Sequence, residues 1–320
     1  MDLCTKRMQE EGPIFFGKGV IMCRIQRILA MFLVMGFISI CLPQQMRAES
    51  SAGDNTLFIS LAEQGDASAQ WILGFMYLNG EGMPQNYGQA AHWLTKAAEQ
   101  GFAMAQFNLG FMYDNGEGVP QDFKKALDWY TKAAEQGLAE AQTNLGVMYN
   151  NGEGVPQDFK KALEWYTKAA EQGLAEAQTN LGLLYAEGGE GVPQDSKKAL
   201  EWLTKGAEQG FALAQFNLGF MYANGNGVPQ DFKKALEWYT KAAEQGLAEA
   251  QTNLGVMYAA GQISQDYTRA YSWFNLAASQ GNEYGGRNKD LIIKNMSSNQ
   301  IEEGQKLSTE LYEKIDTQAK

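Results

Sequence analysis

The chain has 320 residues, 26 basic and 37 acidic, for a net charge of -11 with a single histidine. That acidity disfavours nucleic acid and anionic membranes as partners. One histidine, His92, and three cysteines confined to positions 4, 23 and 41 leave no His/Cys cluster for zinc and no material for a Ser-His-Asp centre.

Taken from the N-terminus, Arg24 and Arg27 precede an apolar run, residues 28–42, which Pro43 ends. A basic flank, a short apolar segment and then small residues form the secretory pattern. The run is shorter than the roughly 20 residues that a spanning helix needs. Residues 1–48 therefore read as an N-terminal extension and signal peptide, with cleavage after Ala48 and with Met22 as an alternative start. Cys41 follows Ile40, where a lipoprotein signal wants a small residue. Without Lys6, Arg7, Lys18, Arg24, Arg27, Arg47, Asp2, Glu10 and Glu11, 20 basic residues face 34 acidic ones, a net charge of -14. Residues 49–54 read as disordered, and residues 49–65 as an N-terminal cap whose helix is Thr56 to Gln64.

From Asp66 onward one pattern recurs. Residues 138–173 differ from residues 102–137 at six positions only. Such self-similarity means stacked supersecondary units in place of one globular core. Six repeats span 66–101, 102–137, 138–173, 174–210, 211–246 and 247–281. In the second, Ala103 to Asp114 forms a first helix, with Ala105, Leu109, Met112 and Tyr113 on one face. Gly110 interrupts it at a cost of about 1 kcal/mol. Its recurrence as Gly74, Gly146, Gly182, Gly219 and Gly255 implies close approach of the second helix. Residues 115–121 break the helix, and Asp122 caps a second helix, Phe123 to Gln136, closed by Gly137. That helix turns Ala126, Tyr130, Ala133 and Ala134 inward, with Phe123 and Leu127 beside them. Lys124, Asp128 and Lys132 lie outward at salt-bridge spacing. Trp129 is expected to pack on the following repeat.

The AxAQxNLGxMY segment, the G-x-G-V-P loop and DFKKALEWYTKAAEQG together resemble the Sel-1-like repeats, relatives of the tetratricopeptide repeats. The resemblance covers residues 66–281. It implies an all-α fold, a right-handed superhelical αα-hairpin solenoid of six ~36-residue repeats with helical caps. It further implies an adaptor or scaffold, without catalysis or cofactor, that binds through a concave face lined by first helices.

Repeat four carries one extra residue within residues 187–191, and repeat six lacks the second Gly and the Pro. Residues 282–320 read as C-terminal capping helices, with a Ser297–Gln300 capping box.

The repeats differ from one another mainly along one stripe of the first helix. Repeats one, two and five are apolar there: Trp71, Phe75, Met104, Phe107, Phe111, Leu213, Phe216 and Phe220. The others carry Glu140, Glu176 and Glu249 with threonines. The stripe admits two readings: packing between adjacent first helices, or an exposed groove taking a protein or peptide segment with apolar anchors. The second is the expectation for Ser68, Met104 and Leu213 and for Trp71, Phe107 and Phe216; for Phe75, Phe111 and Phe220 the two readings stand level. The function expected is thus an exported, non-catalytic protein-binding scaffold, periplasmic or secreted. The alternatives are a cell-envelope enzyme or peptidoglycan-associated factor, or a secreted host-interaction factor. The glycine-rich loops lack the lysine of a phosphate loop, and their acidic residues lack calcium-loop spacing.

Overall fold

The computed structural model describes residues 55–318; the signal-peptide reading and the disorder expected at 49–54 lie outside them. The described residues form fifteen α-helices and one 3-10 turn, Ile293–Asn295. They fall into two compact parts, residues 55–177 with 190–192, and residues 178–189 with 193–318.

In the first part, α1 (Thr56–Glu63) precedes three helical hairpins: α2 (Ala67–Asn79) with α3 (Tyr87–Glu99), α4 (Ala103–Asn115) with α5 (Phe123–Glu135), and α6 (Ala139–Asn151) with α7 (Phe159–Glu171). Helix α8 (Ala175–Glu187) leads into the second part. That part holds α9 (Ser196–Glu208), the hairpins α10 (Ala212–Asn224) with α11 (Phe232–Glu244) and α12 (Ala248–Ala260) with α13 (Tyr267–Ser279), and then α14 (Glu283–Ile292) and α15 (Ser298–Gln318).

Local chemistry sets these bounds. The Asp122 carboxylate accepts from the backbone N–H groups of Lys124 and Lys125, both at 3.1 Å, and Asp158, Asp195 and Asp231 cap α7, α9 and α11 in the same way. Gly116 at φ +74° closes α4, and Gly137 at φ +92° follows α5; both are left-handed turns that side chains disfavour. The first helices α4, α6, α10 and α12 start differently, at Phe102, Leu138, Phe211 and Leu247, with no side-chain cap. An apolar residue gains more there, because it packs backward: the Phe102 ring lies 5.4 Å from that of Trp71. Helices α2 and α14 instead keep side-chain caps at Asp66 and Asn282, and Asn282 Oδ1 also accepts from Thr252 of the preceding repeat at 3.2 Å.

The core lies between successive hairpins. Leu94, Ala97 and Ala98 of α3 meet Ala105, Leu109 and Met112 of α4, and Tyr130, Ala133 and Ala134 of α5 meet Ala141, Leu145 and Met148 of α6. No hairpin buries both of its apolar faces alone, so stacking completes each core. The recurrent helix glycine has the role expected of it. A Cβ on Gly110 would fall 2.8 Å from the Tyr130 ring, and one on Gly146 would fall 2.5 Å from Tyr166.

Three details correct the sequence reading. Trp129 and Trp165 pack into the clusters that join their repeats to the preceding one, so the tryptophans pack backward. Phe123 is at the surface, and its backbone abuts Gly154 of the following repeat's loop. Lys132 lies over the Trp129 ring at 3.9 Å in place of the expected pairing with Asp128; Lys205 does both, touching Glu201 at 3.0 Å and Trp202 at 3.8 Å.

The C-terminal cap is as the sequence suggests. The Ser297 N–H donates to Gln300 Oε1 at 2.9 Å, and the Gln300 N–H donates to Ser297 Oγ at 3.3 Å. Helix α15 packs on α13, where Asn275 donates to Ser308 Oγ at 2.9 Å and Gly304 leaves room for the Tyr271 ring. Gly285 lets α14 approach Ala277 closely.

Candidate functional site

The stripe expected to be exposed is mostly core. Trp71 is 5% exposed, and its indole N–H donates to Asn108 Oδ1 of the next repeat at 2.8 Å. Phe75 packs beside it, among Ala105, Leu109 and Met112. Phe107 is buried against Tyr130, with ring centroids 5.8 Å apart, and Phe111 joins the same cluster with Leu145 and Met148. Phe216 repeats this arrangement against Tyr239 at 5.7 Å, and Leu213 is buried as well. Burial overturns the expected exposure of Trp71, Phe107, Leu213 and Phe216. These side chains face the neighbouring first helix and their own second helix. Of the eight residues, Met104 and Phe220 stay partly accessible.

What the first helices of the first part offer a partner is therefore modest: Ser68, Met104, Glu140 and Val147, with Tyr113 and Tyr149 at the edge under Lys125 and Lys161. The second part offers Phe220, Glu249 and Val256, with Tyr222 under Lys234. Burial pushes the Glu117 carboxyl above its ordinary range, which the loop's packing explains. His92 is exposed on α3, its ring 5.1 Å from that of Trp93.

Beneath this surface runs a polar network that the sequence reading passed over. In each repeat a glutamine on the first helix accepts from a glutamine that ends the second. Gln100 donates to Gln70, Gln136 to Gln106, Gln172 to Gln142, Gln209 to Gln178, Gln245 to Gln215 and Gln280 to Gln251, all at 2.7–2.8 Å. The first-helix glutamine is buried and donates backward: Gln106 Nε2 reaches Ala98 O at 3.1 Å, and Gln215 reaches Ala207 O at 3.2 Å. The signal was available, since both glutamines occur in all six repeats.

A second unanticipated feature is a pocket of about 340 Å³, open to solvent, in the second part. It is lined by Ala186, Gln194, Ser196, Leu203, Asn217, Phe220, Met221 and Asn226. Among the described residues no group of three or more His, Cys, Asp or Glu side chains is placed to hold a metal ion, and no helix is long and apolar enough to cross a membrane.

Tandem αα-hairpins joined by a glycine-proline loop and locked by buried glutamines define a class, the helical repeat proteins that build a core by stacking. The chain belongs to the Sel1 repeat family: the family model matches residues 67–102, 103–138, 139–174, 175–211, 212–247 and 248–282. A Sel1 repeat protein from Oxalobacter formigenes is similar at 39% identity over 67% of this chain and 86% of that one, with a TM-score of 0.63. The c5321 protein of uropathogenic Escherichia coli, described as a protective antigen with an SLR fold, is 32% identical over 83% of this chain and 72% of that one, with a TM-score of 0.38. A putative Sel1 repeat protein from Klebsiella pneumoniae is 25% identical over 62% and 97%, with a TM-score of 0.43. No curated protein matches this chain.

Proposed function

We propose that this protein is an exported scaffold that binds a protein partner through its first-helix faces and carries out no chemistry of its own. The observation that supports this most is where the repeats differ. Their cores, caps, loops and glutamine pairs are nearly identical, whereas accessible first-helix positions change from Met104 to Glu140 in the first part, and from Phe220 to Val256 in the second. Fixed framework with varied surface is the arrangement that lets a repeat protein select a partner. Family membership supports the binding role. Export rests on the basic and apolar N-terminal stretch at residues 24–42, and periplasmic or secreted placement follows from it.

With most of the aromatic stripe in the core, the contact surface is mixed: single apolar contacts, Met104 and Phe220, set among carboxylates. A partner segment with apolar side chains flanked by basic ones fits this surface. The test is affinity purification of the full chain from its own envelope fraction, followed by titration of the protein recovered. Met104→Glu and Phe220→Glu are expected to weaken binding at least tenfold, and Lys124→Glu on the outer face to leave it unchanged. Equal loss from all three variants, or loss from none, would refute the first-helix face as the binding surface. N-terminal sequencing of the chain from fractionated cells tests export; an intact N-terminus in the cytoplasm would count against it.

A further inference from the structure

The chain contains five Asn-Gly pairs: Asn79-Gly80, Asn115-Gly116, Asn151-Gly152, Asn224-Gly225 and Asn226-Gly227. Asparagine is a thermally labile residue. Before glycine it is most open to attack by the backbone, because no side chain shields the glycine nitrogen or restrains its rotation. Sequence alone treats the five pairs alike, and the structure separates one of them from the rest.

Four of the asparagines are the last residues of α2, α4, α6 and α10. In each case the glycine nitrogen that would attack is already donating. Gly80 donates to Met76 O at 2.8 Å, Gly116 to Met112 O and Gly152 to Met148 O at 2.9 Å, and Gly225 to Met221 O. Ring closure would have to break that bond and turn the helix end out of its left-handed closure. The side chains are held as well. Asn79, Asn115 and Asn224 donate to the carbonyls of Phe75, Phe111 and Phe220 at 3.1, 2.9 and 2.8 Å, and Asn151 donates to Glu153 at 3.2 Å.

Asn226 differs on every count. It is exposed and lies in the bend between α10 and α11, outside any helix. Neither its side chain nor the Gly227 N–H has a hydrogen-bond partner among the described residues. It also stands where the four preceding repeats carry a carboxylate, as Glu81, Glu117, Glu153 and Glu190. The next residue has little slack: Gly227 is at φ +76°, and a Cβ on it would fall 2.6 Å from the Ser196 carbonyl at the start of α9.

We infer that Asn226-Gly227 is a self-modification site, where the chain converts its own asparagine into isoaspartyl and aspartyl forms. The Gly227 nitrogen gives its proton to hydroxide and bonds to Asn226 Cγ. The bond from Cγ to Nδ2 breaks, and ammonia leaves with a proton taken from water. A second water opens the resulting imide ring at either carbonyl. In sum, an amide and water give an acid and ammonia, with no change of oxidation state. Both products put a carboxylate on the wall of the solvent-open pocket that Asn226 lines. The isoaspartyl form also adds a carbon to the backbone immediately before Gly227, which forces the loop away from Ser196. The site does not depend on the partner surface proposed above.

The experiment is incubation of the folded full chain in mildly alkaline buffer. Digests taken over time are read by chromatography and fragmentation mass spectrometry, which distinguish the three forms at each of the five positions. Conversion at position 226 is expected to be at least tenfold faster than at any other pair, and the five rates should converge when the chain is unfolded in guanidinium. Asn226→Gln is expected to remove the fast conversion and leave the other four rates unchanged. Asn226→Glu supplies the carboxylate without the added carbon and should keep the urea midpoint of fresh protein, whereas the isolated isoaspartyl fraction should unfold at a lower one. Conversion at 226 no faster than elsewhere, a spread of rates that survives unfolding, or an isoaspartyl fraction as stable as Asn226→Glu would overturn the inference.

Discussion

The side-chain amide of Gln136 donates to Oε1 of Gln106 at 2.7 Å, across 30 residues of sequence, and to the Gly101 carbonyl at 3.0 Å. Gln106 in turn donates to the Ala98 carbonyl at 3.1 Å. Two glutamines thereby tie the two helices of one repeat to the end of the repeat before. Gln106 is buried and its bond to Gln136 is partly buried, whereas the bond to Gly101 lies at the surface; a buried polar group without a partner is costly.

Gln106→Leu removes the acceptor and leaves the Gln136 amide and the Ala98 carbonyl without that bond. A loss of about 1–3 kcal/mol is expected, read as a lower midpoint in urea. The double variant Gln106→Leu with Gln136→Leu is expected to recover part of it, because both partners are then apolar. A double variant as unstable as the sum of the singles would contradict the pairing.

Gly110→Ala weighs two opposed effects. Alanine gains about 1 kcal/mol of helix propensity, but its Cβ would stand 2.8 Å from the buried Tyr130 ring. Overpacking costs about 1–3 kcal/mol, and the ring has no room to retreat. Net destabilisation is expected, and it should be larger for Gly146→Ala, where the distance is 2.5 Å. Thermal midpoints of the two variants decide the matter; a rise in either would show that the ring moves freely.

Trp71→Ala separates a core role from a surface role. Loss of a buried tryptophan costs about 3–5 kcal/mol, and Asn108 Oδ1 would lose its donor at 2.8 Å. A residue held at the surface for binding would change stability by about 0.5 kcal/mol or less. Chemical denaturation of the full chain is the measurement.

Asp66 gives a pH dependence of known sign. The Ser68 hydroxyl at 2.6 Å, then the Ala69 N–H at 2.7 Å, hold its carboxyl below the usual value of 3.8. The folded pKa is depressed, so its stabilisation is complete above the unfolded value and is lost as pH falls through the folded one. Asp66→Ala is expected to cost about 1 kcal/mol at pH 7, the usual worth of a helix cap. That difference should shrink progressively once the pH drops below about 3.8. A difference that persists at pH 2 would mean the charge is irrelevant.

Much of the architecture was legible because the signals are local. Asp122, Gly116 and Gly137 announce helix ends from their own conformational preferences, and Ser297 with Gln300 does the same near the C-terminus. The recurrence of Gly110 revealed a close contact because an uncompensated cost would not be repeated six times. The candidate site was less legible. Variation at Trp71, Phe107 and Phe216 marks positions that tolerate change; it does not say whether a partner or the adjoining repeat covers them.

The chain's own pattern of residues determined the helices, their order, their caps and the need to stack, since these follow from short-range preference and periodicity. Tertiary structure alone decided which side of each first helix is covered, that the tryptophans pack backward, and that paired glutamines lock each hairpin. Those outcomes depend on distances between side chains some thirty residues apart, which the stacking of neighbouring hairpins fixes and no single helix encodes.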